Sequence, residues 1–246
     1  MKKVWTQFKA NGVKYILETV VVIMGILIAF YFDGVAESQN KKQKEIALLR
    51  EIMDDVKSSL NDAIEDKEVM DIAYTSTARV IAFLPENKTL TDEITQDFAN
   101  LIAFSFFFPK TGGYETLRTT GQDIISNNKI KSMITRVYEL DIKRIKSKES
   151  IRNAKELLFP FFTKNFSLVK SENPINDEGT IMYGGVLSNS FRAVPLDYEA
   201  LRTSTEFEIL LHQAIIERSY FIRDYQMLED DMLELIDSIE KELAES

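Results

Sequence analysis

The sequence predicts a mainly α protein: an N-terminal transmembrane helix followed by an elongated antiparallel helical bundle. Three observations carry this. Residues 15–32 form an 18-residue apolar run, Tyr-Ile-Leu-Glu-Thr-Val-Val-Val-Ile-Met-Gly-Ile-Leu-Ile-Ala-Phe-Tyr-Phe, in which only Glu18 and Thr19 are plainly polar. Pro and Gly are scarce, at 5 and 9 of 246 residues, which favours long helices over a turn-rich β protein. Beyond the apolar run, hydrophobic residues recur at helical spacing over long stretches.

The chain divides into a basic tail (1–14), a transmembrane helix (15–32) and an extracytoplasmic helical-bundle domain (33–246). At about 1.5 Å per residue, the span crosses most of a roughly 30 Å hydrocarbon layer. Residues 20–32 are apolar all round, unlike a soluble surface helix with one polar face. A cleavable signal peptide is the competing reading, with a basic start, an apolar core and the small residues Gly34-Val35-Ala36. The long basic region and the helical pattern running on into Glu37–Arg50 favour a retained single-pass signal-anchor.

Charge gives the span a direction. Lys2, Lys3, Lys9 and Lys14 make the tail +4 with no acid, and Glu18 adds one negative charge. The rest must then be −12 to reach the net −9. The positive-inside rule therefore places the N-terminus in the cytoplasm and the main domain outside the cytoplasmic membrane, in the periplasm where there is one. Trp5 and Phe8 on one side, and Phe30, Tyr31 and Phe32 on the other, suit interfacial aromatic belts. Glu18 lies about a turn inside the cytoplasmic edge; it is either a functional intramembrane carboxylate or a side chain reaching the headgroups near Lys14. Gly25 and Ala29 form a small-xxx-small pair that would let a second span approach.

Residues 35–84 read as one long helix or two end to end. Leu49, Met53, Val56, Leu60 and Ile64 form its stripe, and Pro85 and Asn87 end it. Its polar face, including Asp54, Asp55, Lys57, Glu65 and Asp66, reads as a solvated surface. Thr89 or Thr91 starts a second helix, expected through Phe98 and Leu101 to about Phe108. Lys110-Thr111-Gly112-Gly113 is a loop, and Tyr114–Thr120 a short helix stopped by Gly121. Asn127 or Asn128 caps a long helix that bends or ends near Pro160. Residues 166–195 are the one non-helical region, with turns at Asn173-Pro174 and Gly184-Gly185 and a small hairpin over 180–187. Ser204 or Thr205 caps a last helix to about Leu243.

Several chemistries lack their residues. There is no Cys, hence no disulfide and no thiol nucleophile. The one histidine, His212, lacks the partners of a triad or a zinc site. No phosphate-binding loop, dinucleotide fingerprint or calcium loop occurs, so no cofactor and no metal are expected. The acidic body argues against nucleic acid. Aromatic residues beside tight turns are the candidate binding set: Phe104, Phe107, Phe108, Gly112, Gly113, Tyr114 and Tyr183. They line either an apolar pocket or the core of the bundle.

Two segments carry a family likeness. One is Lys14-Tyr15-Ile16-Leu17-Glu18 running into Val20–Ala29; the other is Tyr114-Glu115-Thr116-Leu117-Arg118-Thr119-Thr120-Gly121, followed by Ile124-Ile125-Ser126-Asn127. Together they resemble a bacterial family of single-span membrane proteins known as domain of unknown function 6090. Its members share the Glu-led span and the Tyr-Glu-x-Leu-x-x-x-Gly turn. Related spans often end in Asn-Trp, whereas this one reads Phe32-Asp33-Gly34. The resemblance implies the topology, draws attention to Glu18 and residues 114–121, and implies no activity.

These readings converge on a non-enzymatic membrane anchor whose outer domain binds a partner or ligand, with lipid and a protein partner or second copy around the span. A 14-residue tail is too short for an output domain, so any signal would pass through the span itself or through a partner beside it. The alternative is a subunit of an ion-coupled, stator-like complex using Glu18. A hydrolase with a carboxylate pair is the third, and it requires two close carboxyls in a cleft.

Overall fold

The apolar segment and the first bundle helix are one element. A computed structural model describes residues 2–151, 154–170 and 191–245, with side chains for 17–150, 154–170 and 191–245. Helix α1 (Lys2–Phe83) is continuous over 82 residues. No proline occurs before Pro85 to interrupt it, and its length is about 120 Å. It ends in a 3-10 turn at Leu84–Glu86, and Asn87 takes the left-handed conformation with φ 50°. Burial begins at Leu48, and residues 33–44 are exposed. They form a bare helical stalk about 18 Å long between apolar segment and bundle.

Three long arms make the bundle. Helix α2 is Asp92–Asn100, α3 is Gly112–Thr120 and α4 is Asn128–Arg136. A π-helical turn, Val137–Asp141, joins α4 to α5 (Ile142–Ile151), and α6 is Ala154–Asn165. Strands β1 (Phe166–Lys170) and β2 (Phe191–Pro195), then α7 (Tyr198–Arg202) and α8 (Thr205–Glu245), complete the described chain. Helix α8 runs antiparallel to α1: Lys57 Nζ meets Glu240 Oε1 at 2.7 Å and Lys67 Nζ meets Glu229 Oε2 at 2.5 Å. The α4–α5 arm is antiparallel to α8 in turn, with Lys129 Nζ 3.5 Å from Glu234 and Lys148 paired to Asp224.

Side chains cap the starts of α2, the α4–α5 arm and α8. Thr91 Oγ1 accepts from the Ile94 N–H at 3.3 Å, and Asn127 Oδ1 accepts from the Lys129 and Ile130 N–H groups at 2.9 and 3.3 Å. Ser204 Oγ accepts from the Phe207 N–H at 3.2 Å. Two apolar clusters follow. The larger, nearer the stalk, joins Ile52, Val56, Ile134, Leu228 and Met232. The smaller closes the far end around Phe98, Phe161, Phe162, Phe166 and Phe207.

Three expectations are corrected. Helix α2 stops at Asn100 rather than Phe108, and residues 103–111 are irregular backbone, with Ala103, Phe104, Ser105 and Phe107 buried among helices. Buried backbone needs partners, and side chains supply them. The Phe107 N–H donates to Glu149 Oε1 at 2.8 Å, Lys146 Nζ donates to the Phe107 carbonyl at 2.9 Å, and the Lys110 N–H donates to Ser59 Oγ at 2.8 Å. Asp66 is not on a solvated face; it is 8% exposed. Helix α3 starts at Gly112, so Gly112-Gly113 open a helix where a loop is expected, whereas Pro160 lies inside α6, which ends near it at Asn165. Among the described residues, β1 pairs antiparallel with β2, Leu168 opposite Ala193. The turns at 173–185 and the hairpin at 180–187 lie outside the described residues.

Candidate functional site

Residues 17–32 of α1 are exposed along their whole length. Exposure is 58% at Leu17, 61% at Val22 and Leu27 and 69% at Phe30. The apolar surface runs round the whole cylinder, where a helix docked on one protein surface needs only a stripe. Among the described residues this is the one helix long and apolar enough to cross a membrane, and none of that apolar window is buried. Glu18 and Ala29 are exposed on it, and a Cβ built on Gly25 would meet nothing within 4 Å.

The aromatic set divides by role. Phe104 and Phe107 are buried, and their rings pack edge-on against Phe221 and Tyr225 of α8. Tyr114 stacks on Tyr138, centroids 4.5 Å apart, and donates its hydroxyl to Glu139 Oε1 at 2.7 Å. Burial and that carboxylate push the Tyr114 phenol up to about 12. Phe108 is 72% exposed. Gly113 marks a close approach of backbones: a Cβ there would lie 2.8 Å from the Ile52 nitrogen. Its N–H donates to Asp55 Oδ2 at 2.8 Å. Tyr183 lies outside the described residues. Of the described members, Phe104, Phe107, Gly113 and Tyr114 are packed in the core and Phe108 is exposed.

Beside the irregular segment runs a polar seam, and of its members Asp66 is the one that the sequence pattern assigns to the surface. Ser105 Oγ hydrogen-bonds Asp66, the Tyr225 hydroxyl donates to Asp66 Oδ2 at 3.4 Å, and Lys146 Nζ meets Glu149 Oε2 at 2.5 Å. Burial pushes the Asp66 carboxyl up to about 6; Ser105 and Tyr225 oppose the shift, and the charges of Glu149 and Asp62 add to it. Further along, Arg218 is 1% exposed and donates to the Ala73 carbonyl at 3.1 Å, to Thr77 Oγ1 and to the Leu101 carbonyl. Burial brings its guanidinium down to about 10, so it stays charged at neutral pH. A signal for both residues existed in the sequence. Arg218 shares the helical register of Ala214, Phe221 and Tyr225, and Asp66 that of Ala63, Val69 and Met70. Charges in a core register mark buried, hydrogen-bonded groups.

A second acidic pair joins the π turn to α8. Asp141 is held up by burial first and then by its hydrogen-bonded neighbour Asp231, against Arg144 and Arg136. Arg136 Nε lies 2.8 Å from Asp231 Oδ2. Two surface cavities stand out. A shallow one of about 480 Å³ is lined by Lys131, Thr135, Arg136 and Glu139, and one of about 270 Å³ by Ile81, Leu84, Glu208 and His212. Neither is lined by Asp66, Asp141 or Asp231. Among the described residues, no group of three His, Asp or Glu side chains is placed to hold a metal ion.

No family model, no curated protein and no solved structure matches the chain.

Proposed function

We propose that this chain is a single-pass membrane protein, N-terminus in the cytoplasm, presenting an acidic helical bundle outside the membrane to bind a partner without catalysis. One observation carries the reading. The apolar cylinder of residues 17–32 is wholly exposed and continues, unbroken, through a stalk into the core helix of the bundle. So large an apolar surface is unfavourable in water and favourable in lipid. Continuity supports a retained anchor, because cleavage near Ala36 would cut the middle of a regular helix. The +4 tail supports the orientation. The likeness of residues 14–29 and 114–127 to domain of unknown function 6090 supports the same topology.

The test is cellular. The protein should stay in the membrane pellet after alkaline extraction, and protease added to spheroplasts should degrade the bundle while sparing the tail. Release by alkali, or protection of the bundle, would overturn the anchor or its direction. Crosslinking from residues 100–121 in native membranes addresses partner binding. Failure to recover any discrete adduct would count against it.

A further inference from the structure

Two buried carboxyls meet where the π turn of the α4–α5 arm packs against α8. Asp141 is the last residue of that turn, which closes through the Ile142 N–H to the Val137 carbonyl. Such turns are rare insertions in a regular helix and are frequent at functional sites. Asp141 is 2% exposed, and the Asp231 side chain is 11% exposed. Asp141 Oδ2 and Asp231 Oδ2 are both buried, and neither accepts a hydrogen bond from an N–H or O–H of the described residues. The two carboxyls hydrogen-bond each other instead. An ionised carboxylate only accepts, so this bond needs a proton on one of them.

The surrounding charges oppose that proton without displacing it. Arg136 Nε from α4 lies 2.8 Å from Asp231 Oδ2, an ion pair without hydrogen-bond alignment. Arg144 Nη1 from α5 lies 3.4 Å from Asp141 Oδ1. Both cations favour the ionised form, but their side chains are 52% and 31% exposed, where water screens them. Burial acts more strongly on Asp141, and Asp231 adds to it, so the Asp141 carboxyl is held above its usual range. The nearby acids are engaged elsewhere: Glu139 with Tyr114 and Lys143, Glu234 with Lys129, and Asp230 with Gln226. On α1, Lys57 and Lys67 are paired to Glu240 and Glu229.

We propose that Asp141 and Asp231 form a proton-operated latch: one shared proton holds the π turn against α8, and its loss lets the turn open. The closed pair binds a proton more tightly than the open, solvated one. The latch is therefore strongest in acid and weakens as pH rises past the raised value of the closed pair. Its position gives it leverage. Lys146 and Glu149, which hold the Phe107 backbone, lie on α5 within about two turns of the pair. The latch is built into the bundle and does not depend on what the bundle binds.

Hydrogen exchange read by mass spectrometry tests it, on the full chain in phosphatidylcholine nanodiscs at pH 5.0 and 7.5. Dividing each rate by that of an unstructured peptide of the same sequence removes the intrinsic pH dependence. In the wild type, protection of residues 136–144 should fall about tenfold at the higher pH, the factor carried by one pKa unit. Asp141→Asn and Asp231→Asn each replace the shared proton by an amide N–H that donates to the remaining carboxylate. Each should keep the same protection at both pH values and melt like the wild type at pH 5.0. Asp66→Asn removes the raised carboxyl of the seam and should leave the response at 136–144 intact. Protection that ignores pH in the wild type, or a response that survives in both Asn variants of the pair, would overturn the latch. So would loss of the response in Asp66→Asn, or a lowered melting temperature of both pair variants at pH 5.0. None of these outcomes touches the anchor reading, which alkaline extraction tests separately.

Discussion

Arg218 of α8 donates a hydrogen bond to the carbonyl of Leu101, the residue following α2. A buried cation on the last helix thereby holds the point where the chain leaves a helix and enters the seam. The same guanidinium reaches the Ala73 carbonyl and Thr77 Oγ1 on α1, so three segments meet on one side chain.

Arg218→Ala should therefore be severely destabilising. It opens a cavity in the core and removes the guanidinium donor from the Leu101 carbonyl, while the Ala73 carbonyl keeps the Thr77 hydroxyl. The expected loss is about 3–5 kcal/mol, read by chemical denaturation. Arg218→Met, which fills the space and removes the buried charge, should recover part of it. Amide exchange should accelerate first at Leu101–Phe107. Uniform acceleration across α8 instead would show that Arg218 supports its own helix more than the seam.

Asp66 predicts the pH dependence of stability. Its carboxyl titrates near 6 in the folded protein, above the roughly 3.9 of an unfolded chain. The folded state therefore binds a proton more readily between those values. That contribution is fully present below about 4 and is lost as pH rises through about 6. The groups facing Asp66 are Asp62 on α1, Ser105 on the seam, Glu149 on α5 and Tyr225 on α8. Wild-type Tm should rise as pH falls from 7.5 to 5.5, and Asp66→Asn should flatten that slope. An unchanged slope in the variant would assign the effect to other carboxyls, Asp141 among them.

How far the sequence could be read follows from what periodicity encodes. The stripe Leu49, Val56 and Leu60 was legible and is core, while Ile64 is 40% exposed. The caps at Thr91, Asn127 and Ser204 were legible because their chemistry is local. The seam was not. Leu101–Phe108 is a short apolar run, which reads equally as helix or buried extended chain. Its backbone partners, Ser59 and Glu149, lie 51 and 42 residues away in sequence, where no local pattern points. The candidate site was half legible for the same reason. Gly113 and Tyr114 stood out as a turn, but their partners Ile52, Asp55 and Tyr138 belong to other arms.

The paired glycines separate close packing from flexibility. A Cβ on Gly113 meets the Ile52 backbone nitrogen at 2.8 Å, and a backbone cannot rotate away. Gly113→Ala should cost about 1–3 kcal/mol as α3 is pushed off α1. A Cβ on Gly112 meets only side-chain oxygens at ordinary contact distance, Asp55 Oδ2 at 3.4 Å and Glu51 Oε1 at 3.7 Å. Gly112→Ala should be nearly neutral. Thermal melts of the two variants decide the matter, and equal losses would mean that helix propensity or strain at the turn dominates instead of the contact.

The last prediction separates anchor from bundle. Met24 and Leu27 lie near the middle of the apolar run, 57% and 61% exposed, without contact to the folded core. Two lysines there should leave the bundle's fold intact but oppose insertion by about 2.5–3.5 kcal/mol each. Met24→Lys combined with Leu27→Lys should therefore shift the protein from the membrane pellet toward the alkali-soluble fraction. The bundle's thermal unfolding should be unchanged. A matched pair outside the span, Ser38→Lys with Gln39→Lys on the exposed stalk, should leave the protein in the membrane. If the span pair stays membrane-bound as well, residues 15–32 are not what holds this chain to the bilayer. If the span pair unfolds the bundle, the exposed cylinder carries a folding role that its surface does not indicate.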